Sequence, residues 1–175
     1  MDFFVINDDD YLLQIKEIFF KLKGDGFFWD PAVDFISNNT FTSFKVRWGK
    51  TEAILKLDFI NDIAVHFGEI IKTDVFDRTD SIRNILSNKL TAIFRYEAKD
   101  VADIREIALH ETVDWTQAIN DARQKEAGIE LTYISDILKG IPQREFETIA
   151  WTKKPDWDEF RNDIDRIVFD MMSGK

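Results

Sequence analysis

Cysteine is missing from this sequence altogether, which removes disulfide staples and thiolate zinc sites from consideration. Histidine is nearly missing: His66 and His110 are the only two, too few to build a histidine-based metal centre. No apolar run reaches the ~18 residues that a membrane-crossing helix requires. The opening residues, MDFFVINDDDY, lack a basic stretch followed by an apolar one. The expectation is therefore a cytoplasmic protein with no secretory leader and no membrane partner. Net positive charge is also lacking. With 33 acidic and 23 basic residues the chain carries −10, which argues against broad DNA binding. A local basic groove is compatible with that total, and carboxylates that hold divalent cations would add to it.

Apolar residues, in contrast, fill 45% of the 175 positions, with 16 Phe and 5 Trp among them. That is ample for the core of one domain or of two small lobes. A mean hydropathy of −0.27 and 32% charged residues fit a folded chain, not a disordered one.

The first half reads as mixed α/β. Asp2–Ile6 has the aromatic and β-branched content of a strand and ends at Asn7-Asp8-Asp9-Asp10, acids suited to a helix N-terminus. The helix follows with Leu12, Ile15, Ile18, Phe19 and Leu22 at helical spacing until Gly24-Asp25-Gly26. Strands are expected at Val33–Ser37, Phe41–Trp48 and Glu52–Ile60, with Gly49-Lys50 as a tight hairpin turn. In the last strand Ala53, Leu55, Leu57 and Phe59 share one face, and Ile54, Lys56, Asp58 and Ile60 share the other. The first face is core, and the mixed one is where a site could be built.

From Thr79 onward the pattern is helical, with helices expected near Thr79–Tyr96, Asp100–His110, Asp114–Ala127, Glu130–Leu138 and Asp156–Met172. In the last of these Trp157, Phe160, Ile164, Ile167, Val168 and Met171 face inward. The whole is an α+β protein, with an N-terminal mixed-sheet lobe over 1–75 and a C-terminal helical lobe over 76–175, joined within Ile70–Arg78.

The helix beginning near Thr79 holds the most informative side chain. Ile82, Ile85, Leu86, Leu90 and Ile93 make an apolar stripe, and Lys89 falls near its middle. A buried ammonium without a partner is costly. Lys89 therefore pairs with a structural acid, snorkels to water, or points into a polar cavity that holds phosphate or carboxylates. Downstream, Asp100 and Asp103 have the spacing of an N-cap and its N3 acid, and Lys99 and Asp103 that of a surface i,i+4 pair. Asp8-Asp9-Asp10-Tyr11 lacks the alternating ligands, glycine and terminal glutamate of a calcium loop. His66 and His110 have no partner spacing that suggests catalysis.

Read as a unit, Lys89, Leu90, Ala92, Arg95, Lys99, Asp100 and Asp103 resemble the K-L-x-A-L…R-x-x-x-[RK]-D-x-x-D-[LI] pattern of AbiEii/AbiGii-type nucleotidyltransferases, toxins of bacterial toxin–antitoxin systems. At the front, Met1-Asp2-Phe3-Phe4 is similar to the second half of that family's D-[IL]-D-F-F motif, with Asp2 as the second aspartate. Leu55-Lys56-Leu57-Asp58-Phe59 is the fitting place for a third acid on a later strand. The resemblance extends to about Leu109.

That resemblance implies a nucleotidyltransferase-type sheet lobe in which Asp2 and Asp58 are catalytic and bind Mg²⁺. Lys89 and Arg95 would contact the nucleotide, while Lys99, Asp100 and Asp103 support them. The implied reaction moves a nucleoside monophosphate from a nucleoside triphosphate to RNA or another macromolecule, and an antitoxin protein is the implied partner. The family's Gly-Ser turn and first aspartate have no counterpart in this sequence, whose match starts partway through the motif. Two expectations follow. Either the sequence is a truncated form of an active enzyme, or it is a catalytically dead relative that serves as a protein-interaction module.

Overall fold

The computed structural model describes residues 2–6 and 8–174, apart from the side chains of Asp2 and Ile6. The chain is α+β and divides into two compact units, residues 1–64 and 65–175. The division falls earlier than the 75/76 boundary read from the sequence because the connecting segment is tied into the second unit. Phe67 N–H donates to Asn84 Oδ1 (3.1 Å), Ser81 Oγ donates to Phe67 O (2.6 Å), and Ile71 bridges Thr79. Gly68 makes the tie possible. It sits at φ +77°, and a Cβ there would lie 2.5 Å from Ser81 Oγ, so only glycine satisfies both backbone and space.

The first unit is a mixed five-stranded sheet with one helix. Its elements are β1 (Asp2–Ile6), α1 (Tyr11–Gly24), β2 (Phe27–Phe28), β3 (Phe35–Ser37), β4 (Phe41–Trp48) and β5 (Leu55–Asp62). The order is β1-β5-β4-β2, with β3 also on β4. β1 runs parallel to β5, while the other pairings are antiparallel. Alternation along β4 and β5 sends Phe44, Val46, Leu57 and Phe59 to one face, where they pack with Tyr11 and Ile15 of α1. Phe44 and Phe59 stack at 5.5 Å, and Phe19 meets Phe44 edge-on at 4.5 Å. Tyr11 buries its ring and donates its hydroxyl to Phe59 O (2.8 Å), so the aromatic body adds area without leaving a polar tip unsatisfied.

The expected acids do precede α1. Asn61 of β5 fixes that loop by accepting from Asp8 N–H (2.9 Å) and donating to Asp8 O (3.0 Å). The hairpin is longer than Gly49-Lys50 suggests. Gly49 adopts φ +58° and Thr51 N–H returns to Trp48 O, but the β4–β5 ladder ends at Val46↔Leu55. β5 starts at Leu55 and not at Glu52: Ala53 and Ile54, expected on the strand, are exposed and lie outside the ladder.

The second unit is helical: α2 (Ile82–Ala92), a 3₁₀ turn (Ile93–Arg95), α3 (Ala98–His110), α4 (Trp115–Lys125), α5 (Leu131–Gly140), α6 (Gln143–Phe146) and α7 (Trp157–Ser173). All five expected helices are present. The short α6 went unread because one turn carries no periodicity. The core joins Leu86, Leu90 and Ile93 to Val101 and Ile104, Trp115 and Ile119, Ile134 and Leu138, and the inward face of α7. Each fully buried Leu or Ile there contributes about 2 kcal/mol. Asp156 caps α7 by accepting from Asp158 N–H and Glu159 N–H (2.9 and 3.0 Å). Among the described residues no helix is long and apolar enough to cross a membrane.

Candidate functional site

The mixed face of the first unit's sheet carries a row of polar positions. Asp2 of β1 pairs in register with Asp58 of β5, and Asp58 pairs with Ser43 of β4. The side chain of Asp2 lies outside the described residues, but its backbone places the two aspartate positions abreast on parallel strands. Ser43 Oγ donates to Asp58 Oδ1 at 2.5 Å, and Lys56 Nζ donates to Oδ2 at 2.7 Å. Asp58 is largely sheltered, with its side chain 13% exposed, whereas that of Lys56 is 57% exposed. Burial pushes the Asp58 carboxyl up, but the bonds from Lys56 and Ser43 outweigh it and hold the group below the ordinary aspartate value of 3.8. It is a carboxylate at neutral pH. Directly beside this row Lys45 stands opposite Lys56, and further along β4 Arg47 is held by Asp34 at 2.7 Å.

In the second unit the family-like residues form one ionic cluster. Lys89 Nζ lies 3.0 Å from Asp100 Oδ1 and 2.7 Å from Asp103 Oδ2. Arg95 Nη2 lies 2.8 Å from Asp100 Oδ2. The Asp100 side chain is fully buried and is shared by the two cations. Desolvation lowers the Lys89 pKa, yet the bonds from Asp103 and then Asp100 raise it above the ordinary lysine value. The Asp100 bond does the same for Arg95. Tyr96 makes the geometry possible. Among the described residues it is the one non-glycine with positive φ (56°), and this left-handed step reverses the chain so that α3 begins against the end of α2.

Several sequence expectations change here. Glu97, not Asp100, occupies the N-cap position of α3. Asp100 sits in the first turn, where a carboxylate favours the helix dipole, with its oxygens on Lys89 and Arg95. Asp103 pairs with Lys89, not in the expected i,i+4 pair with the exposed Lys99. The buried stripe of α2 is Leu86, Leu90 and Ile93, while Ile82 is 38% exposed. Lys89 stands on the shoulder of the stripe because it is ~100° from Leu90 around the helix, and its side chain is 21% exposed.

A polar network at the start of α2 was not foreseen. Asn84 and Ser87 are fully buried. Asn84 donates to Asp80 (2.9 Å), whose other oxygen meets His66 Nε2 (2.8 Å). Lys125 donates to Asn84 and Asn88, and Arg83 makes a two-point contact with the buried Asp121. The one available signal was polar residues at helical spacing beside apolar ones. That signal marks satisfied polar packing as readily as a site.

Among the described residues no group of three or more His, Cys, Asp or Glu side chains is arranged to hold a metal ion. The donors that could take part in holding one are Asp58 and the neighbouring Asp2. Mg²⁺ binds through one or two carboxylates, waters and substrate phosphates, and a charged, sheltered carboxylate abreast of a second aspartate suits that requirement.

Fold and site together define an α+β protein built from a mixed-sheet unit with a polar row around Asp58 and a helical unit with an ion cluster around the buried Asp100. The chain is similar to JHP933 from Helicobacter pylori, a crystal structure, with a TM-score of 0.61 over 98% of this chain and 74% of that one. At 19% identity the likeness is one of fold. No family model and no curated protein matches the sequence.

Proposed function

We propose that this protein is a nucleotidyltransferase of the AbiEii/AbiGii type, a cytoplasmic toxin that transfers a nucleoside monophosphate from a nucleoside triphosphate to RNA or another macromolecule. The observation that carries this reading is the parallel register of Asp2 and Asp58, which sets two aspartate positions abreast on neighbouring strands. When bound there, Mg²⁺ supplies charge neutralisation for the attacking and leaving oxygens of phosphoryl transfer. Asp2 and Asp58 are its ligands, and Ser43 holds the Asp58 carboxylate in one orientation. Lys89 and Arg95 are assigned to the phosphates as positive charges. Asp100 and Asp103 orient them, and Lys99 adds exposed charge nearby on α3. An antitoxin is the expected protein partner.

A second reading, a protein-interaction module without catalysis, draws on a specific observation: Lys89 and Arg95 are already neutralised by Asp100 and Asp103. Two measurements separate the readings. A ligand at 100 times its Kd adds about 2.7 kcal/mol to stability, so Mg²⁺ with each nucleoside triphosphate is expected to raise Tm by several degrees. Asp58→Asn removes that shift. Incubation with α-labelled triphosphates and RNA then reports transfer. A Tm indifferent to all four triphosphates in Mg²⁺ rejects the enzyme reading.

A further inference from the structure

Lys56 and Lys45 have no role in the assignment above, yet they stand against the Asp58 row. Residues two apart on a strand share a face, and Lys56 uses that spacing to reach Asp58 Oδ2 at 2.7 Å. Across the ladder Lys56 faces Lys45. Like charges directly opposite on neighbouring strands repel, which favours Lys56 leaning toward Asp58. Ser43 takes the other carboxylate oxygen. The lysine lies mostly in solvent while its acid partner is sheltered, so the ammonium can leave without opening any core.

We propose that Lys56 is a tethered counter-cation for Asp58: it occupies the carboxylate oxygen that a divalent metal would take, yields it when the metal arrives, and turns to the phosphate chain that enters with the metal, alongside Lys45. This rests on the reading of Asp58 as a metal ligand. A monovalent ammonium and a divalent ion cannot both sit on one carboxylate oxygen without strong repulsion, so binding is an exchange. Once displaced, Lys56 and Lys45 present two adjacent positive charges. Such a pair is repulsive when bare and favourable when an anion with several negative oxygens bridges it. Lys56 is therefore a positioning residue: it holds Asp58 in place before binding and the polyphosphate afterwards.

The distinguishing consequence is that removing Lys56 strengthens metal binding, which loss of a merely structural contact does not do. The experiment uses Mn²⁺ alone, followed by the electron paramagnetic resonance of the free ion, and then tripolyphosphate with Mn²⁺ by calorimetry. Lys56→Gln is expected to bind Mn²⁺ about tenfold more tightly than the wild type, on the order of one short charge–charge repulsion removed. It is also expected to bind Mn²⁺-tripolyphosphate about tenfold more weakly, one lost charge-assisted contact. Lys45→Gln weakens only the second. Asp58→Asn abolishes Mn²⁺ binding. Circular dichroism checks that each variant is folded. If Asp58→Asn loses Mn²⁺ while Lys56→Gln binds it no more tightly than wild type, the exchange is wrong and the metal assignment stands. If Asp58→Asn binds Mn²⁺ like the wild type, the metal assignment fails and the exchange with it.

Discussion

Each unit contains an aspartate–lysine contact of nearly equal length, and the two differ in how deeply the partners are sheltered. On the sheet, Asp58 is held by a hydroxyl and by Lys56, whose side chain is 57% exposed. In the helical unit, Asp100 is fully buried, serves both Lys89 and Arg95, and Lys89 in turn serves both Asp100 and Asp103. In the second arrangement the fully buried carboxylate is Asp100, and it depends on Lys89 and Arg95 for its counter-charge. In the first the lysine side chain, 57% exposed, reaches solvent. The same pair of residue types is therefore drawn onto a fully buried carboxylate in one unit and borders solvent in the other.

The sharpest way to break this contrast is Asp100→Ala. It leaves a buried void and removes the carboxylate shared by Lys89 and Arg95. Lys89 keeps Asp103 and Arg95 is 58% exposed, so the cost falls at or below the low end of a broken buried pair, about 2–3 kcal/mol. Urea denaturation should show a loss of that size, enough to unfold a marginal domain. A loss below about 1 kcal/mol would mean that the α2–α3 junction is held by Leu90, Ile93 and Val101 alone.

Lys89→Met ranks next. Met keeps the apolar stem but leaves Asp100 with Arg95 and leaves the 42%-exposed Asp103 to water, so about 1–2 kcal/mol is expected. The pH dependence gives an independent check. The folded pKa of Lys89 lies above its unfolded value near 10.5, so its stabilisation is complete below that value and is lost as pH rises through the folded pKa. Wild-type stability should therefore fall in strong alkali more steeply than that of Lys89→Met, whereas parallel curves would place the ammonium outside the cluster.

How much of this was legible in the sequence depends on the range of the interaction. Periodicity located α2, α3, α4, α5 and α7, and alternation put Leu57 and Phe59 on the core face, because both are properties of a single segment. The position of Lys89 beside the buried stripe was readable for the same reason. Its partners were not. Asp100 and Asp103 reach it only through the left-handed step at Tyr96, and the pattern of α3 alone made them a cap and a surface pair. Ser43 as the partner of Asp58 depends on the β4–β5 register, which neither strand specifies by itself. Asp2 and Asp58 were brought together by a family resemblance, and their common register rests on β1 entering the sheet parallel to β5. The structure divides the chain at Ala64–Val65 and not at 75/76, because the hold of Asn84 and Ser81 on Phe67 is a tertiary contact.

On the sheet the effects should be smaller. Asp58→Asn keeps the shape, and its amide can still accept from Ser43, so a cost of about 0.5–1.5 kcal/mol at neutral pH is expected. The sign with pH is opposite to that of Lys89. The folded pKa of Asp58 lies below 3.8, so its contribution is present above the unfolded value and disappears as pH falls through the folded one. Carboxyl ¹³C chemical shifts should show Asp58 titrating below the ordinary aspartate value of 3.8. A midpoint at or above that value would remove the case for a pre-charged metal ligand.

Lys56→Gln is the smallest of these in stability and the most telling for the comparison. The ion pair lies at a largely exposed lysine, where such pairs are worth about 0–1 kcal/mol. Removing it also relieves the repulsion with Lys45 across the strands, which offsets part of that loss. The net change in denaturation midpoint should fall within about 0.5 kcal/mol of zero. The Asp58 carboxyl should nevertheless titrate at a higher pH than in the wild type, since the largest of the interactions lowering its pKa is gone. Stability unchanged while the neighbouring carboxyl shifts is the signature of a cation coupled to the acid but not to the fold. A loss of 2 kcal/mol or more would instead make Lys56 a structural brace like Lys89, and the two units would then use the same device.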